Sequence, residues 1–186
     1  MTKWTREKID EEYKNGRRNF SREDFSGLDL RDLLLTRADL AWADLTGTYL
    51  TGADMIDADL RGAILTGANL TRVNLTGANL TRVNLTDADL SWANLEGANL
   101  RGADLAWADL TGTYLTGAIL TGANIDCSDW PLWCGSLDVK VDKRIAVQLC
   151  YHFCALDCDE PEYQEARAKV LDFANLMHRT DVERLE

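Results

Sequence analysis

The sequence has little of what most enzymes are built from. Two histidines, His152 and His178, serve the whole chain, and His152 sits beside Phe153 in an apolar stretch that reads as packing rather than as a catalytic base. The serines lack the turn signature of an activated nucleophile. The glycines recur at fixed intervals and build neither a phosphate-cradling loop ending in Lys-Ser/Thr nor a dinucleotide fingerprint. No apolar run is long enough to cross a bilayer. The start, Met1-Thr2-Lys3-Trp4-Thr5-Arg6-Glu7, has no apolar h-region of a secretory signal. Positive charge is short as well: 20 Lys and Arg stand against 31 Asp and Glu, a net charge of −11. That balance argues against general phosphate-backbone binding and fits a basic protein partner, or an acidic surface that is merely soluble. Catalysis, cofactor binding, direct nucleic-acid binding and membrane insertion are all disfavoured, and the expected location is cytoplasmic.

The five cysteines, at 127, 134, 150, 154 and 158, are an odd number in a chain that reads as intracellular, so reduced thiols are the simplest account. Spacings of four would put the last three near one helix face. They match no common zinc knuckle, even with His152 added. Cys127 and Cys134 could approach each other across the turn at Pro131, which only their Cβ geometry decides.

What the chain has in abundance is period. From 20 to 130 every fifth residue is Phe, Leu, Met, Ile or, at the end, Trp, which makes 23 positions. Two places before nearly every one stands a small or slim residue, such as Ala38, Ala53, Val73, Ala98 or Ala123. A period of five is neither helical nor that of a flat strand: a helix would carry the leucines round all sides, and a strand would throw alternate ones onto opposite faces. A short repeat that cannot bury its own apolar side must stack on copies of itself. If each unit forms one side of a squared coil, four units close a turn and each leucine stacks on another twenty residues away. Successive turns would then lie about 4.8 Å apart.

The repeated Ala-(Asp/Asn)-Leu-x-x unit, as in Ala68-Asn69-Leu70-Thr71-Arg72 and Ala98-Asn99-Leu100-Arg101-Gly102, resembles the pentapeptide repeat proteins. The resemblance implies an all-β solenoid, a right-handed quadrilateral parallel β-helix. It implies no single activity, since the family includes regulators, DNA mimics and proteins without an assigned role, and it is abundant in cyanobacterial-type cytoplasm.

Three segments are expected. Residues 1–18 form an N-terminal helical cap, with Thr5 as the cap residue of a helix over 5–15 and Asn15-Gly16 as its stop. Residues 19–133 form the repeats. Residues 134–186 form a C-terminal two-helix hairpin cap, with apolar stripes over 142–156 and 160–178. The outer surfaces of that hairpin offer no second continuous apolar stripe, so a monomer is expected.

Folding the numbering by twenty separates charge by side. The side centred on 25, 45, 65, 85, 105 and 125 carries Asp24, Asp44, Asp87, Asp104 and Asp126 with no base. The side centred on 20, 40, 60, 80, 100 and 120 carries Arg22, Arg61, Arg82 and Arg101 against Asp39 and Asp59. Trp42, Trp92 and Trp107 fall on three different sides, which disfavours one aromatic platform for stacked bases. Leu34, Tyr49, Ile64, Tyr114 and Ile119 replace the polar Asp/Asn and put apolar surface outside.

These features read as a non-enzymatic protein-binding module whose docking face is formed by Asp24, Asp44, Asp87, Asp104 and Asp126 and whose partner, unidentified, carries a basic patch. A structural scaffold without a dedicated ligand is the alternative. The resemblance adds another: family members that protect or inhibit DNA gyrase are similar to a short duplex in width and negative charge, a likeness from which the arginine-bearing side departs.

Overall fold

Every repeat adopts the same local structure, for a reason visible in its backbone. The two residues after each centre form a β-turn, closed by the amide three places on donating to the centre's carbonyl, as in Ala63 N to Leu60 O at 3.0 Å. The second turn residue is left-handed throughout: Gly47 has φ +61°, and where a side chain stands instead, as at Arg82 or Asp87, φ is +57°. A positive φ in that place is the mark of a type II turn and explains the recurrent glycine. The Asp or Asn before each centre pins the turn from outside, its Oδ1 accepting from the amide two residues on, as in Thr46 N to Asp44 at 2.9 Å and Thr86 N to Asn84 at 3.0 Å.

The computed structural model describes residues 4–126, 128 and 129. These belong to the first of two compact units, Met1–Lys140. Each Asp/Asn position makes a parallel bridge to the residue twenty places on, from Asn19↔Asp39 to Asp109↔Asp129. Around each bridge the centre amide donates forward, as in Leu45 N to Ile64 O at 2.7 Å. The residue before it donates backward, as in Asp44 N to Glu23 O at 2.9 Å. The five-residue units thus fall into four ladders, named here by one centre each: the Leu30, Leu35, Leu40 and Leu45 ladders.

This architecture corrects the expected fold class. Among the described residues there is no β-strand and no sheet; every β contact is an isolated single-residue bridge. The all-β solenoid, a right-handed quadrilateral parallel β-helix, is therefore not what the residues form. The cause is local. Two of every five residues are committed to a turn, one of them left-handed, so paired residues never follow one another and no strand can lengthen.

The interior is a stack of centres and slim residues. Leu45, Leu50, Leu80, Leu85 and Leu105 are fully buried, as are Ala43, Ala53, Ala78 and Ala98. Each buried leucine contributes about 1.5–3 kcal/mol. Two threonines occupy alanine's place inside and are fully buried. Thr48 Oγ1 donates to Leu45 O at 2.7 Å and Thr113 Oγ1 to Leu90 O at 2.9 Å, so neither hydroxyl is stranded in the core.

At the start, α1 (Arg6–Lys14) is capped by Thr5, whose Oγ1 accepts from Lys8 N at 3.3 Å. Nine residues with Ile9 as the buried one cannot sustain a helix alone. The repeats hold it. Trp4 meets Phe20 and Phe25 edge-on at 5.9 and 5.5 Å, its Nε1 donates to Glu23 at 2.9 Å, and Tyr13 Oη donates to Thr36 O at 2.8 Å. The expected hairpin over 134–186, the stacking of Trp130, and the pairing of Cys127 with Cys134 lie outside the described residues.

Candidate interaction surface

The outward positions of each ladder are the residue before the centre and the two turn residues after it. On the Leu45 ladder the bridges run Asp24↔Asp44, Asp44↔Ile64, Ile64↔Asn84, Asn84↔Asp104 and Asp104↔Asn124. Three of the five anticipated acids, Asp24, Asp44 and Asp104, therefore share one line, interrupted by Ile64 and Asn84. Asp87 and Asp126 do not join that line. Asp87 is a left-handed turn residue at φ +57°, and Asp126 is a first turn residue whose amide donates to Asn124 Oδ1 at 3.2 Å.

These acids are also structural. Asp24 accepts from Ser26 N at 3.0 Å and Ser26 Oγ at 2.7 Å; Asp104 accepts from Ala106 N at 3.2 Å and Asn124 Nδ2 at 3.0 Å. Asp44 and Asp104 are half-buried, while Asp24, Asp87 and Asp126 are exposed. The ladder is thus lined by acids that are held in local order by the turns they pin. Among the described residues it has no Lys or Arg in an outward position.

The other ladders carry arginines, which pair with some of their acids. On the Leu40 ladder, Arg61 Nη2 lies 2.6 Å from Asp59 Oδ2. Partial burial works against the Asp59 carboxylate, but hydrogen bonds from the Arg61 side chain and amide prevail and hold it below the usual carboxylate range. On the Leu30 ladder, the Arg31 side chain and amide lower Asp29 to about 2. Asp89, also partly buried, is kept low by Ser91 and Thr71. Arg37 and Asp57 are 3.6 Å apart in successive turns.

The exposed apolar residues include Leu34, Trp42, Tyr49, Ile64, Trp92, Trp107 and Tyr114, whereas Ile119 is half-buried. Two of the tryptophans rest on glycine. A Cβ on Gly62 would run into the Trp42 ring, and one on Gly112 would stand 2.8 Å from Trp92 Cδ2 and Cε3. Each ring lies across the glycine twenty residues on. Sequence reasoning missed these seats, although the spacings 42 to 62 and 92 to 112 carry the signal. Trp42, Ile64 and Trp107, with exposures of 58, 42 and 65%, border or occupy the acidic ladder.

Among the described residues, no group of three His, Cys, Asp or Glu side chains could hold a metal ion, and no helix is long and apolar enough to cross a membrane. The surface is that of a stacked-repeat protein whose outer residues serve turns and contacts rather than chemistry. Eight copies of the family described as Pentapeptide repeats match residues 19–52, 53–91, 63–102 and 98–129, and the chain belongs to that family. No curated protein matches it.

Solved structures do match. A trypsin-treated form of QnrB1, a plasmid-mediated fluoroquinolone resistance protein, is 21% identical with a TM-score of 0.58, over 75% of this chain and 74% of that one. A pentapeptide repeat protein of the Arabidopsis thaliana thylakoid lumen is 32% identical with a TM-score of 0.42, over 72% of this chain and 74% of its own. Another, from the cyanobacterium Cyanothece 51142, is 26% identical with a TM-score of 0.40, over 74% of this chain and 96% of its own. The likeness to QnrB1 is one of fold alone. As a member of the Pentapeptide repeats family, the chain is not an enzyme.

Proposed function

We propose that the chain is a protein-interaction module that docks through the Leu45 ladder, against a partner bearing a basic patch. The observation that carries this reading is the line Asp24–Asp44–Asp104, with Asp87 and Asp126 on turns of the same ladder, no base in its outward positions among the described residues, and Trp42, Ile64 and Trp107 exposed around it. A field of one sign steers an oppositely charged surface, and desolvated aromatic anchors hold it. Turns already pinned by Asp24, Asp44 and Asp104 leave little ordering to be lost on docking.

A specific partner gains from the fold likeness to a fluoroquinolone resistance protein. Family members that protect or inhibit DNA gyrase resemble a short duplex in width and negative charge, and an acidic ladder can stand in for a phosphate backbone there. DNA gyrase is thus the partner to test first, ahead of the scaffold reading.

The test is a supercoiling assay with and without fluoroquinolone, using the parent and the triple variant Asp44→Asn/Asp87→Asn/Asp104→Asn. Asn stands naturally at 84 and 124 of the same ladder and keeps the turn-pinning oxygen, and it tolerates the left-handed backbone at 87. The parent is expected to inhibit or protect gyrase, and the triple variant to lose that effect while melting as the parent does. No effect of the parent removes gyrase as partner. Capture of the same host proteins by parent and variant, with the same affinity and salt dependence, removes the acidic docking face altogether.

A further inference from the structure

On the Leu40 ladder the position before each centre reads Asn19, Asp39, Asp59, Asn79, Asn99 and Ile119, so its acids end at residue 59 while its arginines continue. Arg61 is taken up by Asp59, its Nε 2.9 Å from each carboxylate oxygen. Arg82 and Arg101 have Asn79 and Asn99 where Arg61 has Asp59. Both are exposed, and neither makes an ion pair among the described residues. Their backbones are neighbours in successive turns, with Arg82 N donating to Arg101 O at 2.9 Å, so two guanidinium groups emerge about 5 Å apart at their origins. On the flanking Leu35 ladder the second turn positions 77, 97 and 117 are glycines, and Glu96 is the one exposed acid among the first turn positions beside them. On the other flank, Asp104 is engaged by Ala106 and Asn124. In the same column as Arg82, two turns earlier, Trp42 lies across Gly62 and is 58% exposed.

We infer that this Arg82–Arg101 patch, with Trp42 at its edge, is a second docking surface, and that its occupant is a carboxylate-rich segment of another protein. Two like charges side by side, neither ion-paired among the described residues, favour a carboxylate that reaches both, and the planar guanidinium binds carboxylate in a two-pronged geometry. Arg and Trp are both enriched among the residues that carry binding energy at protein interfaces. A nucleic acid carries the same sign of charge as the occupant but extends it over many phosphates. A net charge of −11 and the acidic Leu45 ladder next door would repel such a polyanion, whereas a short acidic segment meets only the local patch. This inference does not depend on the acidic ladder being a docking face.

The test uses the full chain and labelled octaglutamate, octalysine and octathymidylate, followed by fluorescence anisotropy at low ionic strength. The variant is Arg82→Gly/Arg101→Thr. Glycine stands at the equivalent positions 62 and 102 and threonine at 81 and 121, so the turns accept both changes. A control, Arg31→Thr/Arg72→Gly, removes the same charge from the Leu30 ladder. The parent is expected to bind octaglutamate, the patch variant about tenfold more weakly, and the control within about twofold of the parent. Octalysine binding should not weaken in the patch variant. The inference is overturned if the parent does not bind octaglutamate, or if patch variant and control lose affinity equally. Octathymidylate binding the parent more tightly than octaglutamate, through these two arginines, would overturn it in favour of a nucleic-acid site.

Discussion

The seat of Trp92 on Gly112 allows a backbone effect to be separated from a packing effect. Gly112 has φ +69° and lies buried beneath the indole, with two ring atoms 2.8 Å from where a Cβ would stand. Gly67 has φ +63° and nothing within 4 Å of that point. In Gly67→Ala only the backbone changes: a left-handed alanine costs about 1–2 kcal/mol, offset by about 0.4–1 kcal/mol through the less disordered unfolded chain. A net loss of about 1 kcal/mol is expected. Gly112→Ala carries the same loss and must also lift the indole. Re-exposing about 50–100 Å² of apolar surface adds about 1–2 kcal/mol, for a total of about 2–3 kcal/mol. Urea unfolding at constant m measures both. On a Trp92→Gly background the extra loss should vanish, leaving Gly112→Ala no worse than Gly67→Ala. Equal effects of the two alanines in the parent, or an undiminished Gly112→Ala effect without the indole, would refute the seat.

Two further outcomes follow from other contacts. Trp4→Ala removes the ring packed against Phe20 and Phe25 and the hydrogen bond to Glu23, so it should lower stability by about 3–5 kcal/mol and diminish the helical circular dichroism of α1; an unchanged melt would show that α1 is not anchored there. Acid should also destabilise the chain. Asp29, Asp59 and Asp89 have folded pKa values below their unfolded ones, so their contribution is present above about pH 4 and lost as pH falls towards about 2. Denaturant midpoints that stay flat across that window would contradict this, and Arg31→Gln should lessen the slope by freeing Asp29.

The spacing of the leucines discloses the core because a side chain with no partner in its own unit can be buried only by another unit. Ala53 and Ala98 disclose its narrowness in the same way. Strands were expected from the parallel spacing, yet the chain forms only single bridges. That difference was latent in the repeat, since glycine at the second place after a centre announces a left-handed turn in every unit. Arg22, Arg82, Asp87 and the three outer tryptophans hid the signal by adopting the same conformation without being glycine. The acidic side was legible as a set of residues, but its relief was not. Asp44 and Asp104 are half-buried through their turn contacts, while Asp87 and Asp126 leave the common line. Thr48 and Thr113 stand where alanine is usual, and only the structure shows which carbonyls receive their hydroxyls.

The alternating donors of the bridges have a mechanical consequence. Each five-residue unit is tied to the next turn by short backbone hydrogen bonds spaced evenly along the chain, such as Leu75 N to Asn94 O and Gly77 N to Glu96 O. A pull applied through the chain would load one turn's bonds at a time, since each turn contacts only its neighbours. Extension should therefore proceed in quanta of twenty residues, about 70 Å of released chain per event, with similar force at each. Substituting a buried centre would lower one step of that staircase and leave the others in place, which makes the order of rupture a direct reading of which turn each residue holds.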